Sequence, residues 1–126
     1  MSGAYVDTSV VVAIAFSEAS AAAVTRRLRE FDEIVASNLV EAELRSVCRR
    51  ERRAVDLTLL DEVEWIHPSR PLSEQIARVL EAGYVRGADC WHLATALYIA
   101  PDPGEIVFLT LDHRQRDIAK ALGFAT

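Results

Sequence analysis

Four carboxylates, Asp7, Glu43, Asp89 and Asp112, stand where strands should end or helices begin. Asp7 closes the first apolar run, Ala-Tyr-Val-Asp-Thr-Ser (4–9), and Asp112 closes Ile-Val-Phe-Leu-Thr-Leu-Asp (106–112). In an open α/β sheet, ligand sites form outside the carboxyl ends of the strands. Acids gathered there repel one another unless a cation neutralises them, and hard divalent cations prefer oxygen ligands. Three or four acids around Mg²⁺ or Mn²⁺ serve phosphodiester hydrolysis best, because the metal activates water and stabilises both the attacked phosphate and the leaving oxygen. Thr8, Ser9, Asn38 and Thr110 flank these acids and supply the polar groups that hold metal-bound water and orient carboxylates.

Each acid also has a simpler explanation. Asp7, Asp89 and Asp112 can each cap the helix that follows, and Glu43 can be a solvated helix residue. The joint placement distinguishes the two readings, because the element order puts all four on one edge of one sheet.

That order follows from the apolar pattern. Residues 4–8 read as a short buried strand, and 10–16 as a helix with Thr8 or Ser9 as N-cap. A second helix covers about 18–31, and a second strand 33–36. Asn38-Leu-Val-Glu41 has the form of a capping box and opens a helix to about Arg53, with Leu39, Leu44, Val47 and Cys48 inward. Asp56 caps a short helix through Glu62. A third strand runs from Val63 to His67 and stops at Pro68. Pro71 and Ser73 open a helix to about Arg86, broken by Gly87. The most apolar helix starts at Ala88-Asp89 and ends before Pro101. Ile106–Leu111 is the fourth strand, and a final helix from Asp112 or His113 reaches Leu122, with Gly123 at the position that favours glycine. Phe124–Ala125 can add a short fifth strand. Alternation of this kind predicts an α/β fold: a three-layer α/β/α arrangement with a central, mostly parallel sheet of four to five strands. Glu43 lies in the second turn of its helix and leans back toward the helix start, so it can join the edge where Asp7 and Asp112 end their strands.

The chain has 126 residues, 51% of them hydrophobic and 26% charged, which suits a single globular domain spanning 1–126. Cys48 and Cys90 are the only cysteines, and they form no ligand pattern with His67, His92 or His113, which argues for reduced thiols and against zinc. No basic segment precedes the first strand and no apolar run is long enough to span a bilayer, so a cytoplasmic protein without a membrane partner is expected. The net charge of −5 opposes nucleic-acid binding only weakly, since bound metal would offset part of it.

The motifs resemble a family. Tyr-Val-Asp-Thr-Ser-Val (5–10), Ser-Asn-Leu-Val-Glu-Ala-Glu-Leu (37–44), Asp-Cys-Trp-His-Leu-Ala-Thr-Ala-Leu (89–97), Phe-Leu-Thr-Leu-Asp (108–112) and Ala-Lys-Ala-Leu-Gly-Phe (119–124) occur in the order found in PIN domains. Within that family the chain resembles the VapC-type toxins of bacterial toxin–antitoxin pairs. The resemblance covers essentially the whole chain. It implies a magnesium-dependent endoribonuclease with Asp7, Glu43, Asp89 and Asp112 as catalytic and metal-binding acids. It further implies 5′-phosphate and 3′-hydroxyl products, a homodimer, and a small antitoxin that blocks the acidic cleft. The second acid maps to Glu43 rather than Glu41, because the family's acid directly precedes the leucine. Asp117, five residues beyond the fourth acid, is left unassigned.

Other features divide between the site and the scaffold. Five arginines fall within 45–53, of which Arg45 and Arg49 are candidates to contact RNA phosphates, as is His113 beside Asp112. A solvated helix face explains the same arginines. His92 is three residues after Asp89 on one helical face and could sit beside the site, although a packed or hydrogen-bonded structural role is the expectation. Trp65, Trp91 and Tyr84 can stack on bases, although core packing suits at least two of them better. Among rival functions, an aspartate-based phosphohydrolase needs a second acid two residues after the first, where Ser9 stands. A phosphorylatable receiver domain needs a lysine after its last strand, and the one lysine, Lys120, lies deep in the final helix. A non-catalytic module with a PIN fold would be expected to have lost acids, and all four are present.

Overall fold

Strand β1 (Gly3–Val6) is the centre of the structure, because nearly every side chain along it is apolar and its neighbours cover both faces. A run of that kind is what a strand buried on both faces of a parallel sheet requires. The computed structural model describes residues 2–126. The four strands, β1, β2 (Glu33–Ser37), β3 (Glu64–Ile66) and β4 (Val107–Leu109), form one sheet in the order β3-β2-β1-β4. All the pairings are parallel, with Tyr5 opposite both Val35 and Phe108. The expected fifth strand is reduced to a single parallel bridge between Val107 and Ala125.

Six α-helices cover the two faces. Helices α1 (Thr8–Ala15) and α3 (Leu39–Glu51) bury Val10, Val11, Val40 and Leu44 with Val6 and Ala36 on one side, and α2 (Ala21–Leu28) packs outside them. Helices α4 (Ser73–Ala82), α5 (Gly87–Ile99) and α6 (His113–Leu122) bury Val79, Leu93, Leu97, Ile118 and Leu122 with Tyr5 and Phe108 on the other. The Tyr5 and Phe108 rings stack at a centroid distance of 5.2 Å, and Phe124 packs on Phe108 at 5.7 Å. This is the three-layer α/β/α arrangement that the alternation predicts. Cys90 is buried, Cys48 is half-buried and both are free thiols. Trp65 and Trp91 are half-buried against the two cores, whereas Tyr84 is exposed beneath the Arg114 guanidinium.

Several boundaries differ from the sequence expectation, each for a local reason. Asp7, rather than Thr8 or Ser9, is the N-cap of α1, and its carboxylate accepts from the Val10 amide. Asn38 has helical φ and ψ and makes no cap bond; the Ser37 hydroxyl accepts from the Leu39 amide at 3.0 Å instead. The predicted capping box therefore does not form, and Glu41 turns to Arg45 one turn on. Helix α4 ends at Ala82, with Gly83 as its C-cap, so Gly87 opens α5 rather than breaking α4. Helix α6 ends at Gly123, whose φ of 104° lies in the left-handed region where a Cβ is strained. Among the described residues, no helix is long and apolar enough to cross a membrane.

Because all four strands are parallel, their carboxyl ends share one edge. The chain builds outward from β1 through β2 to β3, then returns to place β4 on the other side of β1. Strand order thus reverses between β1 and β4, the place where sheets of this kind form binding crevices. Asp7 and Thr110 stand there, directly beyond the paired Val6 and Leu109.

Candidate active site

Asp7 is the anchor of the site. It is only 3% exposed, which is unusual for an aspartate, and it leaves β1 as the cap of α1. Its Oδ1 accepts from the Ser9 hydroxyl at 2.6 Å and the Val10 amide at 3.4 Å, and its Oδ2 from the Thr110 hydroxyl at 2.6 Å. Burial pushes the Asp7 carboxyl above the usual range, and these hydrogen bonds and the nearby His92 only partly oppose it. A cap alone does not require such burial, since a surface aspartate caps equally well.

Asp112 caps α6 through the Gln115 amide at 2.9 Å and is itself exposed. Asp89 lies in the first turn of α5 but is not its cap; that position belongs to Arg86, which makes no side-chain cap bond. A carboxylate in a first turn is favoured by the helix dipole. Burial pushes the Asp89 carboxyl up, and the charges of Asp112, Asp7 and Glu43 push it further, while His92 opposes them. Asp89 is thus the one of the four on which the charges of the other three act. None of them has a lysine or arginine in an ion pair among the described residues.

Glu43 reaches the site from the second turn of α3. Its Oε1 accepts from the Thr8 hydroxyl at 2.6 Å and lies 2.7 Å from His92 Nε2. Half-burial pushes the Glu43 carboxyl up, but the hydrogen bonds from His92 and Thr8 and the charge on His92 outweigh it, so the carboxyl titrates below its ordinary range. Glu41 points elsewhere, into an exposed ion pair with Arg45 at 2.7 Å.

The flanking residues divide clearly. Thr8, Ser9 and Thr110 each donate to one of the acids. Asn38 is exposed, its amide donates to the Ile66 carbonyl, and its side chain accepts only from the Ser37 hydroxyl among the described residues, so it stays outside the network. Arg45 is committed to Glu41, while Arg49 joins Arg50, Arg52 and Arg53 around a groove of about 760 Å³ at the end of α3. His113 is exposed and lies beside Arg116, and Asp117 is exposed on α6. An apolar groove of about 620 Å³, lined by residues such as Val11, Ile14, Leu28 and Phe31, contains none of the four acids.

Two further residues belong to the network, of which only Gln115 was passed over in the sequence. His92, expected to be structural, bonds Glu43 directly. Gln115 is fully buried, its Oε1 lies 3.2 Å from the Thr110 hydroxyl and its Nε2 donates to the Asp89 carbonyl at 3.2 Å, tying the end of β4 to α5 and α6. The available signal for Gln115 was its position three residues after Asp112, the capping-box interval. His92 had only its helical spacing from Asp89.

The donor set suits a hard divalent cation: carboxylates and hydroxyls, with no thiol and, among the described residues, no paired lysine or arginine. As they are placed, no three His, Cys, Asp or Glu side chains among the described residues stand close enough to ligate one ion. Asp112 is exposed and Asp89 half-buried, whereas Asp7 is buried and Glu43 is held by Thr8 and His92.

A family model described as the PIN domain matches residues 4–121. The chain is also 33% identical, over 136 aligned positions, to Ribonuclease VapC46 of Mycobacterium tuberculosis. That alignment covers 99% of this chain and 96% of the relative.

Proposed function

The chain belongs to the PIN-domain family, and on that footing we propose that it is a metal-dependent endoribonuclease of the VapC type, the toxin of a toxin–antitoxin pair. What supports the reading is the buried Asp7 at the strand-order reversal, the charges of Asp112, Asp7 and Glu43 felt at Asp89, and the lack of an arginine or lysine ion pair to any of the four among the described residues. Structural acids are normally paired with bases or solvated, and a buried one is costly. Asp7, Asp89 and Asp112, with Glu43, are the residues that would hold Mg²⁺ or Mn²⁺. Such an ion supplies an activated water and stabilises charge on the phosphate.

The chain's own groups do the rest. Ser9 and Thr110 fix Asp7 so that it needs no reorganisation on binding. Glu43 orients the water for in-line attack on phosphorus, which leaves a 5′-phosphate and a 3′-hydroxyl. The amino-terminal turns of α1, α5 and α6 open toward the same edge, where their amide dipoles favour an anionic phosphate. Arg49, with Arg50, Arg52 and Arg53, grips RNA phosphates beyond the cleft, and the exposed His113 lies at the rim beside Asp112. Arg45 is the weaker contact, being held by Glu41. An antitoxin would silence the site by putting a basic side chain among the unpaired acids. The toxin itself is read as a cytoplasmic homodimer. The phosphohydrolase alternative loses further ground because Ser9 is committed to Asp7 at the position where that chemistry needs an acid.

The test is cleavage of a mixed RNA pool by the purified, partner-free protein with Mg²⁺, with Mn²⁺ and with chelator. Cleavage that needs metal and disappears in Asp89→Asn supports the reading. Full activity in chelator or in Asp89→Asn rejects it, and a folded protein that cleaves nothing under any metal points to a binding module.

A further inference from the structure

His92 is only 1% exposed and sits in a stretch of α5 that is apolar apart from Thr95, followed by Leu93, Ala94, Ala96 and Leu97. A leucine would fill that place without burying a polar ring. The imidazole makes contacts at one nitrogen only. Its Nε2 lies 2.7 Å from Glu43 Oε1 and 3.3 Å from Thr8 Oγ1, while its Nδ1 is buried with no protein partner. A histidine kept for the scaffold normally has both nitrogens satisfied, because a buried unpaired polar atom is destabilising. Here the chain tolerates the orphaned Nδ1 for the sake of the contact at Nε2. An ionised carboxylate can only accept, so the shared proton belongs to Nε2.

We propose that His92 is a positioning residue for Glu43: its Nε2–H and the Thr8 hydroxyl clamp Oε1, so that Glu43 meets metal or water through Oε2 alone. The inference rests on the ribonuclease reading and specifies how one of its acids works. Three elements build the clamp, with Thr8 from α1, Glu43 from α3 and His92 from α5. Its partners are 35 and 49 residues from Glu43 along the chain. Both donors take the same oxygen, and among the described residues no hydrogen bond engages Oε2. A glutamate has three rotatable side-chain bonds, so without the clamp it would sample orientations that miss the site. Groups that orient a ligand from behind in this way typically change metal affinity or activity by about 10- to 100-fold when removed.

The experiment compares His92→Leu and His92→Gln with the native full chain, using Mn²⁺ alone as the probe of binding and RNA cleavage as the probe of turnover. The glutamine amide offers an N–H near the position of Nε2, and leucine offers none. In His92→Leu we expect Mn²⁺ affinity to fall about tenfold and kcat about 10- to 100-fold with KM for RNA unchanged, and we expect His92→Gln to restore most of both. A purely structural role would not weaken Mn²⁺ binding in a folded protein, nor be rescued by an amide. Native Mn²⁺ affinity and kcat in His92→Leu would overturn the proposal, and so would a glutamine variant as impaired as the leucine one. Should His92→Leu not fold, Thr8→Val removes the other arm of the clamp, and unchanged Mn²⁺ affinity there would overturn it. Native protein that binds Mn²⁺ but cuts no RNA would reject the ribonuclease reading, while Mn²⁺ affinity would still decide the clamp.

Discussion

Replacing Asp7 by asparagine exchanges one oxygen for an amide nitrogen at the most buried of the four carboxylates, and it should raise stability while removing activity. In the native protein this carboxylate is 3% exposed and accepts from Ser9, Val10 and Thr110. Burial still holds its pKa above the ordinary range, so the ionised form is less stable in the fold than in the unfolded chain. An asparagine Oδ1 keeps the Ser9 and Val10 bonds. Its new Nδ2–H donates to the Thr110 oxygen, and the Thr110 hydroxyl is then free to donate to Gln115 Oε1, already 3.2 Å away. The hydrogen bonds are conserved and the charge is gone.

Relieving an active-site charge of this kind is typically worth about 1 kcal/mol. At ~2.1 cal/mol/K per residue, the unfolding entropy of a chain this long is roughly 0.26 kcal/mol/K, so Tm should rise by about 4 °C. The sign depends on pH. Below the unfolded carboxylate pKa, Asp7 is protonated in both states and the two proteins should be equally stable. As pH rises through the carboxylate range the unfolded chain ionises first, the native protein loses stability, and the gap opens; it is full above the raised folded pKa. The assay is Tm from pH 3 to 8 in chelator, beside RNA cleavage with Mg²⁺. A variant less stable than native at pH 7, or a gap that does not change with pH, would refute the reasoning. With saturating Mg²⁺ the order should reverse, because only the native protein gains ion binding.

Other consequences are simpler to read. Removing Arg49, Arg52 and Arg53 together should weaken RNA binding at moderate salt and flatten its salt dependence, measured with the uncleavable Asp89→Asn background; an unchanged salt slope would take RNA away from that groove. Phe108→Ala should cost about 3–5 kcal/mol in urea unfolding, because the ring is fully buried between Tyr5 and Phe124. Gly123→Ala should cost about 1 kcal/mol, since the left-handed φ at the end of α6 strains any Cβ although the added atom would meet Pro103 only at ordinary contact distance; a variant as stable as native would mean that the turn readjusts.

Much of the scaffold was legible along the chain. Apolar runs that end at Asp7 and Asp112 marked two strands and the edge on which they finish, and the alternation of strands and helices implied a parallel sheet between helical layers. Gly123 was readable as a helix end because only glycine takes that backbone conformation without strain. Local signals misled where two nearby residues could do the same job. Ser37 caps α3 where Asn38 was expected, and Gly83 ends α4 where Gly87 was expected, because a propensity marks a neighbourhood and the packed structure selects the residue.

Within the site, residue types and order were enough to pick out four acids, and the PIN resemblance favoured Glu43 over Glu41. Side-chain direction was not in the sequence. Glu41 and Glu43 differ by two residues, about 200° around a helix, so only the docking of α3 decides which of them meets Thr8 and His92 and which meets Arg45. The clamp at Glu43 and the brace at Gln115 were likewise decided by the tertiary structure. Each joins groups from three elements, and periodicity records which face of a helix is buried but not what it is buried against.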